Sequence, residues 1–443
     1  MSFRISVLGT GYLGTTHAAG MAELGYDVLG LDVDADKVAR LARGEVPFHE
    51  PGLAELVRTH TRSGRLRFTT DFAAAAAFAD VHFLAVGTPQ SADGEAADLS
   101  HLRAAVDALA PHLERPCVVV GKSTVPVGTA AELAGRLAGL APAGRAVELA
   151  WNPEFLREGH AVADTLAPDR IVVGAASELA EKVLREVYGD LLERGVPFLA
   201  TDLATAELVK VAANSFLATK VSFVNAMAEV CEAAGADVTV LARAIGLDER
   251  IGPRFLRAGV GFGGGCLPKD VRAFRARARE LGGDSAAALL GEVDRINLRA
   301  RERVLALARR ALGGVLAGRR IAVLGAAFKP DTDDVRDSPA LDVAAAAARA
   351  GARVTVYDPA AGRSGAAARP ELAFADSLEA AARGADLVLL LTEWAEFRTA
   401  DPRRLAALVA APVLVDGRNA LDRAAWTAAG WTVHAPGRPA PRS

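Results

Sequence analysis

Phe3-Arg4-Ile5-Ser6-Val7-Leu8-Gly9-Thr10-Gly11-Tyr12-Leu13-Gly14 is the stretch whose reading decides the fold. Its first half is a short apolar strand. Gly9, Gly11 and Gly14 then satisfy G-x-G-x-x-G ahead of an Ala-rich helical stretch ending near Gly25. In that context the glycines let backbone approach a pyrophosphate, and the first amides of the helix receive it. The following strand, DVLGLD, stops at Asp32, the place expected for an acid that accepts from a ribose hydroxyl. A carboxylate there repels a 2′-phosphate, so the expected cofactor is NAD rather than NADP. A glycine triplet alone serves equally well as a tight turn; its strand and helix flanks and Asp32 favour dinucleotide binding.

Working outward, strand-like runs recur at VHFLAV (81–86), CVVVGKS (117–123) and RIVVG (170–174), separated by helical patterns. That alternation predicts a doubly wound parallel sheet through about residue 195. Residues 203–234 contain no Pro or Gly, follow a capping Asp202 and end at Gly235, which predicts one helix about 48 Å long. Such a helix can join two domains and offer an apolar face to a second subunit. At Arg320 the opening pattern returns as RIAVLG, an Ala-rich helix ending near Gly351, and RVTVYD ending at Asp358. The expected fold class is α/β: two Rossmann-like doubly wound domains joined by a long central helix, divided as 1–196, 197–314 and 315–443.

The bulk properties narrow the function. At 443 residues the chain exceeds one ordinary core. A formal charge of −3 gives no cationic field for nucleic acid or anionic lipid. Three dispersed cysteines make neither a disulfide framework nor a Cys-rich zinc site, and no metal is expected. No apolar run reaches about 20 residues, and the N-terminus lacks the parts of a signal peptide, so the expectation is a cytoplasmic protein. Only seven of the 51 basic residues are lysines, which draws attention to each of them.

The segment Gly261-Phe262-Gly263-Gly264-Gly265-Cys266-Leu267-Pro268-Lys269-Asp270 is the most informative for chemistry. Cys117 lies in an apolar strand and Cys231 on a helix among Val224, Met227 and Val230, so both read as core. Cys266 differs, because its glycines let a substrate come close and a helix start beside it would favour a thiolate. A buried turn cysteine is the plainer alternative. Lys210 and Asn214, four residues apart, share a helix face and could both donate to an oxyanion, although such pairs are more often solvated. In the second copy Gly325-Ala326-Ala327 lacks the second glycine, so no second NAD site is expected there. The inserted residues 328–339 offer Lys329 and Arg336, which suit a diphosphate or sugar and equally a solvated loop. Polar loops after strands, at 87–89, 122–126 and 152–159, lie where doubly wound folds bind ligands, with helix capping the alternative for Thr124.

Taken together, GTGYLG, KSTVPVGT, NPEFLREG, ELVKVAANSFLATKVSFVNAMAEVC, GFGGGCLPKD and FKPDTDDVRDS resemble, in order and over nearly the whole chain, the UDP-glucose/GDP-mannose dehydrogenase family. The resemblance implies an NAD domain, a central helix that forms a homodimer, and a C-terminal domain for a nucleotide sugar. It implies two successive oxidations by NAD through an aldehyde-level stage and a cysteine thioester, then hydrolysis. Carried over, the nucleophile is Cys266, the oxyanion donors are Lys210 and Asn214, and Asp270 joins the water and lysine network. Glu154 and Thr124 fall at positions that hold or activate a water. The cofactor would meet Gly9, Gly11, Tyr12, Leu13, Gly14, Asp32, Lys37, Thr88, Thr124, Glu158 and Arg336. The sugar nucleotide would meet Phe155, Leu156, Lys210, Asn214, Phe255, Gly263, Phe328 and Lys329, with Arg250 reaching across a dimer. Gly265 departs from the family by standing where a serine commonly precedes the cysteine, and Leu13 replaces a common valine.

A simple alcohol dehydrogenase stops at the aldehyde, which has no hydride to give until a nucleophile adds to it. A β-hydroxyacid dehydrogenase would share the Lys and Asn pair but need neither Cys266 nor residues 315–443. A non-catalytic nucleotide-sugar sensor should have lost Cys266, Lys210 or Asn214. Among substrates, GDP-mannose and UDP-N-acetylmannosamine stand as alternatives to UDP-glucose. The phrase GVGFGGGCLPKD has no histidine before its cysteine, which favours UDP-glucose.

Overall fold

Strand β1 (Arg4–Leu8) is buried along four of its five residues, as a strand covered by helices on both faces must be. The structure, a computed structural model, describes residues 3–92 and 94–439. The chain divides into two compact units between Ala213 and Asn214. In the first, β1 is joined by β2 (Asp27–Leu31), β3 (Leu66–Thr69), β4 (Val81–Leu84), β5 (Cys117–Gly121), β6 (Val147–Trp151), β7 (Ile171–Ala175) and β8 (Phe198–Thr201). The order is β3-β2-β1-β4-β5-β6-β7-β8, which puts the reversal of strand order between β1 and β4. Alternate residues feed two cores. Leu8, Leu84 and Val119 enter one, and Val7, Phe83 and Val120 the other.

The expected all-parallel sheet needs one correction: β7 runs antiparallel to β6, pairing Trp151 with Gly174. The β6 to β7 connection spends most of its residues on loop, and its helix, Ala161–Leu166, has six residues. At about 1.5 Å per residue that helix spans roughly 9 Å, too little to carry the chain back along a five-residue strand. The chain therefore re-enters the sheet from the end at which β6 left it.

In the second unit β9 (Arg320–Leu324), β10 (Arg353–Tyr357), β11 (Ala373–Phe374), β12 (Leu387–Leu390), β13 (Val413–Asp416) and β14 (Thr432–His434) form a parallel sheet. Its order, β11-β10-β9-β12-β13-β14, is that of a doubly wound dinucleotide fold. The expected repeat of the opening pattern is thus present as β9 and β10. Helices Leu267–Glu280 and Asp284–Ala311 pack on each other in the same unit.

The long helix runs Leu203–Ala234, the bounds its sequence predicts. Asp202 accepts from Thr205 N at 2.8 Å at its start, and Gly235 adopts φ +71° just past its end. Its first part is tied to the first sheet by Glu207. That buried carboxylate takes Gly128 N at 2.7 Å and Ala130 N at 2.6 Å, at the N-terminus of helix Thr129–Leu140, where the helix dipole favours negative charge. Cys231 packs as expected with Val224 and Met227, whereas Val230 faces outward, 58% exposed. Among the described residues, no helix is long and apolar enough to cross a membrane.

Strand β4 carries His82 fully buried, its Nδ1 2.7 Å from Ser6 Oγ. Burial lowers it from an ordinary 6.5 to about 3, with Arg115 adding to the effect and Asp80 opposing it. A histidine lowered on folding contributes stability that is fully present above pH 6.5 and is lost as the pH falls toward 3. Urea unfolding between pH 6 and 4 should therefore show stability falling on acidification. His82→Asn, which preserves a group near Nδ1, should flatten that slope by up to about 1.4 kcal/mol per pH unit. An unchanged slope would show that His82 is protonated in the folded chain.

Candidate active site

The turn after β1 brings backbone against backbone. Gly9 adopts φ +88°, and a Cβ on Gly14 would lie 1.7 Å from the Gly9 carbonyl oxygen. Helix Tyr12–Glu23 begins there with no side-chain cap, which leaves its first amides to a ligand. Space is available: a Cβ on Gly11 would meet no atom within 4 Å, and a cavity of about 520 Å³ is lined by Gly9, Gly11, Asp32, Val33, Lys37 and Phe72. Asp32 accepts from Thr10 N at 2.8 Å, Asp34 N at 3.1 Å and Lys37 Nζ at 3.0 Å. Burial alone would raise its carboxyl, but these bonds outweigh burial and hold it below the usual carboxylate range. An uncapped helix start, an open notch at Gly11 and an ionised acid beside the cavity fit NAD. In the second unit the matching acid, Asp358, is filled by its own chain. It takes Ala326 N, Ala327 N, Ala360 N, Ala361 N and Trp394 Nε1.

Tyr12 donates its hydroxyl to Glu50, and Gly159 N donates to Tyr12 Oη at 3.1 Å and to Glu50 Oε2 at 2.7 Å. Burial first, and Glu50 second, push the Tyr12 hydroxyl well above its ordinary range. Glu158, in the same loop, is half-buried and near enough to add to that shift. Leu13 packs on the core. Thr88 Oγ1 donates to the Thr124 carbonyl at 2.7 Å, joining the loops after β4 and β5.

Beyond β6, Glu154 meets Lys210, Nζ to Oε1 at 3.2 Å, and its other oxygen accepts from Leu156 N. Lys210 is only 4% exposed and also lies 5.5 Å from the centre of the Phe155 ring, which Arg170 covers at 3.9 Å. Lys122 is buried beside them, donating to Asn152 Oδ1 at 2.9 Å. Burial lowers its amine to about 8, against the pull of Glu154 and with that of Lys210.

In the second unit Cys266 occupies the N-cap of helix Leu267–Glu280 and is exposed. The plain alternative of a buried turn cysteine does not hold. Asp270, in the first turn of that helix and 1% exposed, accepts from Asn214 Nδ2 at 2.7 Å and Lys269 Nζ at 2.6 Å. Lys210 and Asn214, one turn apart, therefore each engage a carboxylate, and neither is a solvated helix residue.

The loop before Cys266 is clamped on its backbone. Asn297 exchanges two bonds with Phe262, Oδ1 to N at 2.7 Å and Nδ2 to O at 3.0 Å. Arg418 donates to the carbonyls of Gly261 and Phe328, both at 2.9 Å. Residues 328–338 lean on the same loop. Gly264 N donates to the Arg336 carbonyl at 2.9 Å, and a Cβ on Gly264 would lie 2.7 Å from the Phe328 ring. The Arg336 guanidinium fills the space a side chain at Gly265 would need, 2.2 Å from such a Cβ. The missing serine thus has a steric counterpart. Gly263 packs equally close to the Asp337 carbonyl.

Three further expected contacts lie in the second unit. Phe255 is 42% exposed at a strained φ of +64°, Arg250 extends into solvent and pairs with Asp248, and Lys329 lies over the Phe328 ring. Glu50, Asn297 and Arg418 carry no signal in the sequence. Lys122 and Asn152 fall in the polar loops after strands that the sequence singles out, and Lys122 is also a lysine in an arginine-rich chain.

Residues 3–192 match the NAD binding domain of the UDP-glucose/GDP-mannose dehydrogenase family, residues 204–299 its central domain and residues 322–423 its UDP binding domain. The chain is 43% identical to UDP-glucose 6-dehydrogenase of Pseudomonas aeruginosa, over 98% of each protein. It is 41% identical to UDP-glucose 6-dehydrogenase TuaD of Bacillus subtilis, over 99% of this chain and 94% of that one. Among solved structures, a UDP-glucose dehydrogenase from Pyrobaculum islandicum superposes with a TM-score of 0.89 at 39% identity, covering 96% of each chain. A UDP-D-ManNAc dehydrogenase from Pyrococcus horikoshii gives 0.86 at 28% identity, covering 98% and 99%. The cavity beside Asp32 and the NAD binding match agree on NAD as the cofactor.

Replacing Asp32 by Ala removes a charged acceptor, an interaction of about 1.5 to 3 kcal/mol. Asp32→Ala should weaken NAD binding by roughly tenfold or more and narrow the preference over NADP, read by titration with both cofactors. Unchanged affinity and selectivity would remove Asp32 from the cofactor site.

Proposed function

Because the chain belongs to the UDP-glucose/GDP-mannose dehydrogenase family, we propose that it oxidises the primary alcohol of UDP-glucose to the carboxylate of UDP-glucuronate. The observation that carries this reading is Cys266, an exposed thiol at a helix start in a clamped glycine loop. A second oxidation of the same carbon needs a nucleophile to add to the aldehyde, and a thiol held there can supply it. UDP-glucose is favoured over other nucleotide sugars by the names of the relatives and by GVGFGGGCLPKD, which has no histidine before the cysteine.

NAD, when bound, supplies the acceptor of two electrons and one hydrogen at each of two oxidations. Lys210 and Asn214 donate to the alkoxide of the alcohol and later to each tetrahedral oxyanion, where one lost donor costs about a hundredfold or more. The sulfur of Cys266 adds to the aldehyde carbon as the carbonyl π pair moves to oxygen, giving a thiohemiacetal. Loss of the remaining carbon-bound hydrogen with its electron pair leaves a thioester on Cys266. Water held by Glu154 and Thr124 attacks it, Glu154 takes the water proton, the C–S bond breaks and Cys266 leaves as thiolate. One alcohol, one water and two oxidised cofactors become one carboxylate, two reduced cofactors and three protons. Asp270 orients the Asn214 amide throughout.

Phe155, Leu156, Phe255, Gly263, Phe328 and Lys329 are assigned to the nucleotide sugar, and Arg336 to the cofactor. We also assign the division 1–196, 197–314 and 315–443, a cytoplasmic location, and a product that feeds polysaccharide synthesis. A homodimer through the long helix is supported by Phe216, Phe223 and Val230, which recur every seventh residue and are 67%, 48% and 58% exposed. Arg250 would then serve the partner's site.

A panel of UDP-glucose, UDP-galactose, GDP-mannose and UDP-N-acetylmannosamine tests the assignment. UDP-glucose should give the highest kcat/KM and two NADH per sugar consumed, and Cys266→Ala should bind the sugar nucleotide yet form no uronic acid. A higher kcat/KM with another sugar would reassign the substrate. Uronic acid from Cys266→Ala at near the wild-type rate would exclude the covalent route.

A further inference from the structure

Lys122 is the first residue after β5, and Asn152 the first after β6. Their backbones continue the sheet: Lys122 N donates to the Leu84 carbonyl at 2.9 Å and Asn152 N to the Gly121 carbonyl at 2.8 Å. Their side chains then bridge the two strand ends through Lys122 Nζ and Asn152 Oδ1, 2.9 Å apart. Asn152 is itself held on two sides, accepting from the Tyr188 hydroxyl at 2.6 Å and donating Nδ2 to the Val172 carbonyl at 2.7 Å. Two residues beyond Lys122 is Thr124, and two residues beyond Asn152 is Glu154, so the bridge sets where the two loops begin. Lys122 and Glu154 also line one cavity of about 60 Å³. A water needs roughly 10 to 15 Å³ measured in this way, so a small cluster fits. His17 lines it as well, 3% exposed, with an Nε2 that has no hydrogen-bond partner in the described structure. An apolar side chain would pack this space more cheaply than a buried ammonium, unless the charge and its bonds have a use.

The geometry points to Lys122 as a positioning residue for the hydrolytic step: with Asn152 it holds the loops of Thr124 and Glu154 in register and anchors water in the cavity that Glu154 lines. This inference rests on the proposed thioester route and adds to it a buried residue that acts through the loops of Thr124 and Glu154. Its action is confined to the attack of water on the thioester, so both oxidations should survive its loss.

The test is rapid mixing of enzyme, NAD and UDP-glucose with NADH followed by absorbance, in wild type, Lys122→Met, Asn152→Ala, Glu154→Gln and Tyr188→Phe. Lys122→Met should release two NADH per site in a burst at near wild-type rate. A steady state slower by roughly tenfold to a hundredfold should follow, with NAD affinity unchanged. Tyr188→Phe, which removes one of the two bonds that hold Asn152 and leaves the Lys122 to Asn152 bond in place, should show the same burst with a smaller slowing of the steady state. If Lys122→Met does not fold, as judged by NAD binding, Asn152→Ala carries the same expectation. Slowing of the burst in step with the steady state would reduce Lys122 to a general structural role and overturn the inference. If Glu154→Gln shows the burst and Lys122→Met and Asn152→Ala do not, this inference alone fails. If no variant, Glu154→Gln included, shows a burst, the thioester route itself is at fault.

Discussion

An ammonium removed from water must be given charge or several acceptors in return, at a cost of several kcal/mol if it is not. The first unit buries two, Lys122 at 7% and Lys210 at 4% exposure, and much of its site geometry is the answer to that constraint. Lys210 recruits Glu154 and the face of Phe155, which fixes the loop after β6 against the long helix. Lys122 recruits Asn152, which brings in Tyr188 and the backbone of β7. The loops after β5 and β6 are thereby held by buried polar bonds that fail together, rather than by their own local preferences.

The second unit solves a related problem with different groups. A glycine-rich approach to Cys266 has little conformational preference of its own, and loose backbone there would misplace the thiol. Asn297 and Arg418 hold the loop by its amides and carbonyls, so the clamp is independent of side-chain identity along the glycines. Phe328 and Arg336 fill the notches the glycines leave. Insertion of residues 328–338 therefore does more than lengthen the second copy of the opening pattern: it completes the packing around Cys266. Asp358 and Asp32 both bond their own chain, and Asp32 also lines a cavity.

What sequence could show was whatever is written locally. The 32-residue helix was legible because it lacks Gly and Pro and has a cap at each end. The glycine turn, Asp32 and the return of the pattern at Arg320 were legible because each depends on neighbours within one supersecondary unit. The reversal of β7 was not, since apolar runs look alike in both directions. Asn297 and Arg418 were invisible for another reason: their partners lie 35 and 157 residues away, and a single polar residue inside a helix or after a strand has no pattern. Scarcity singled out Lys122, but burial, which makes it matter, appears only in three dimensions.

The central claim is that the carbon being oxidised is held on Cys266 between the second oxidation and hydrolysis. The most direct measurement is acid quenching of wild-type enzyme during turnover with UDP-glucose and NAD, followed by peptide mass mapping. The account predicts a fraction of the Cys266 peptide carrying the uridine diphosphoglucuronyl group, appearing with the second NADH and decaying as uronic acid forms. Uronic acid formed while the Cys266 peptide stays unmodified at every quench time would contradict it.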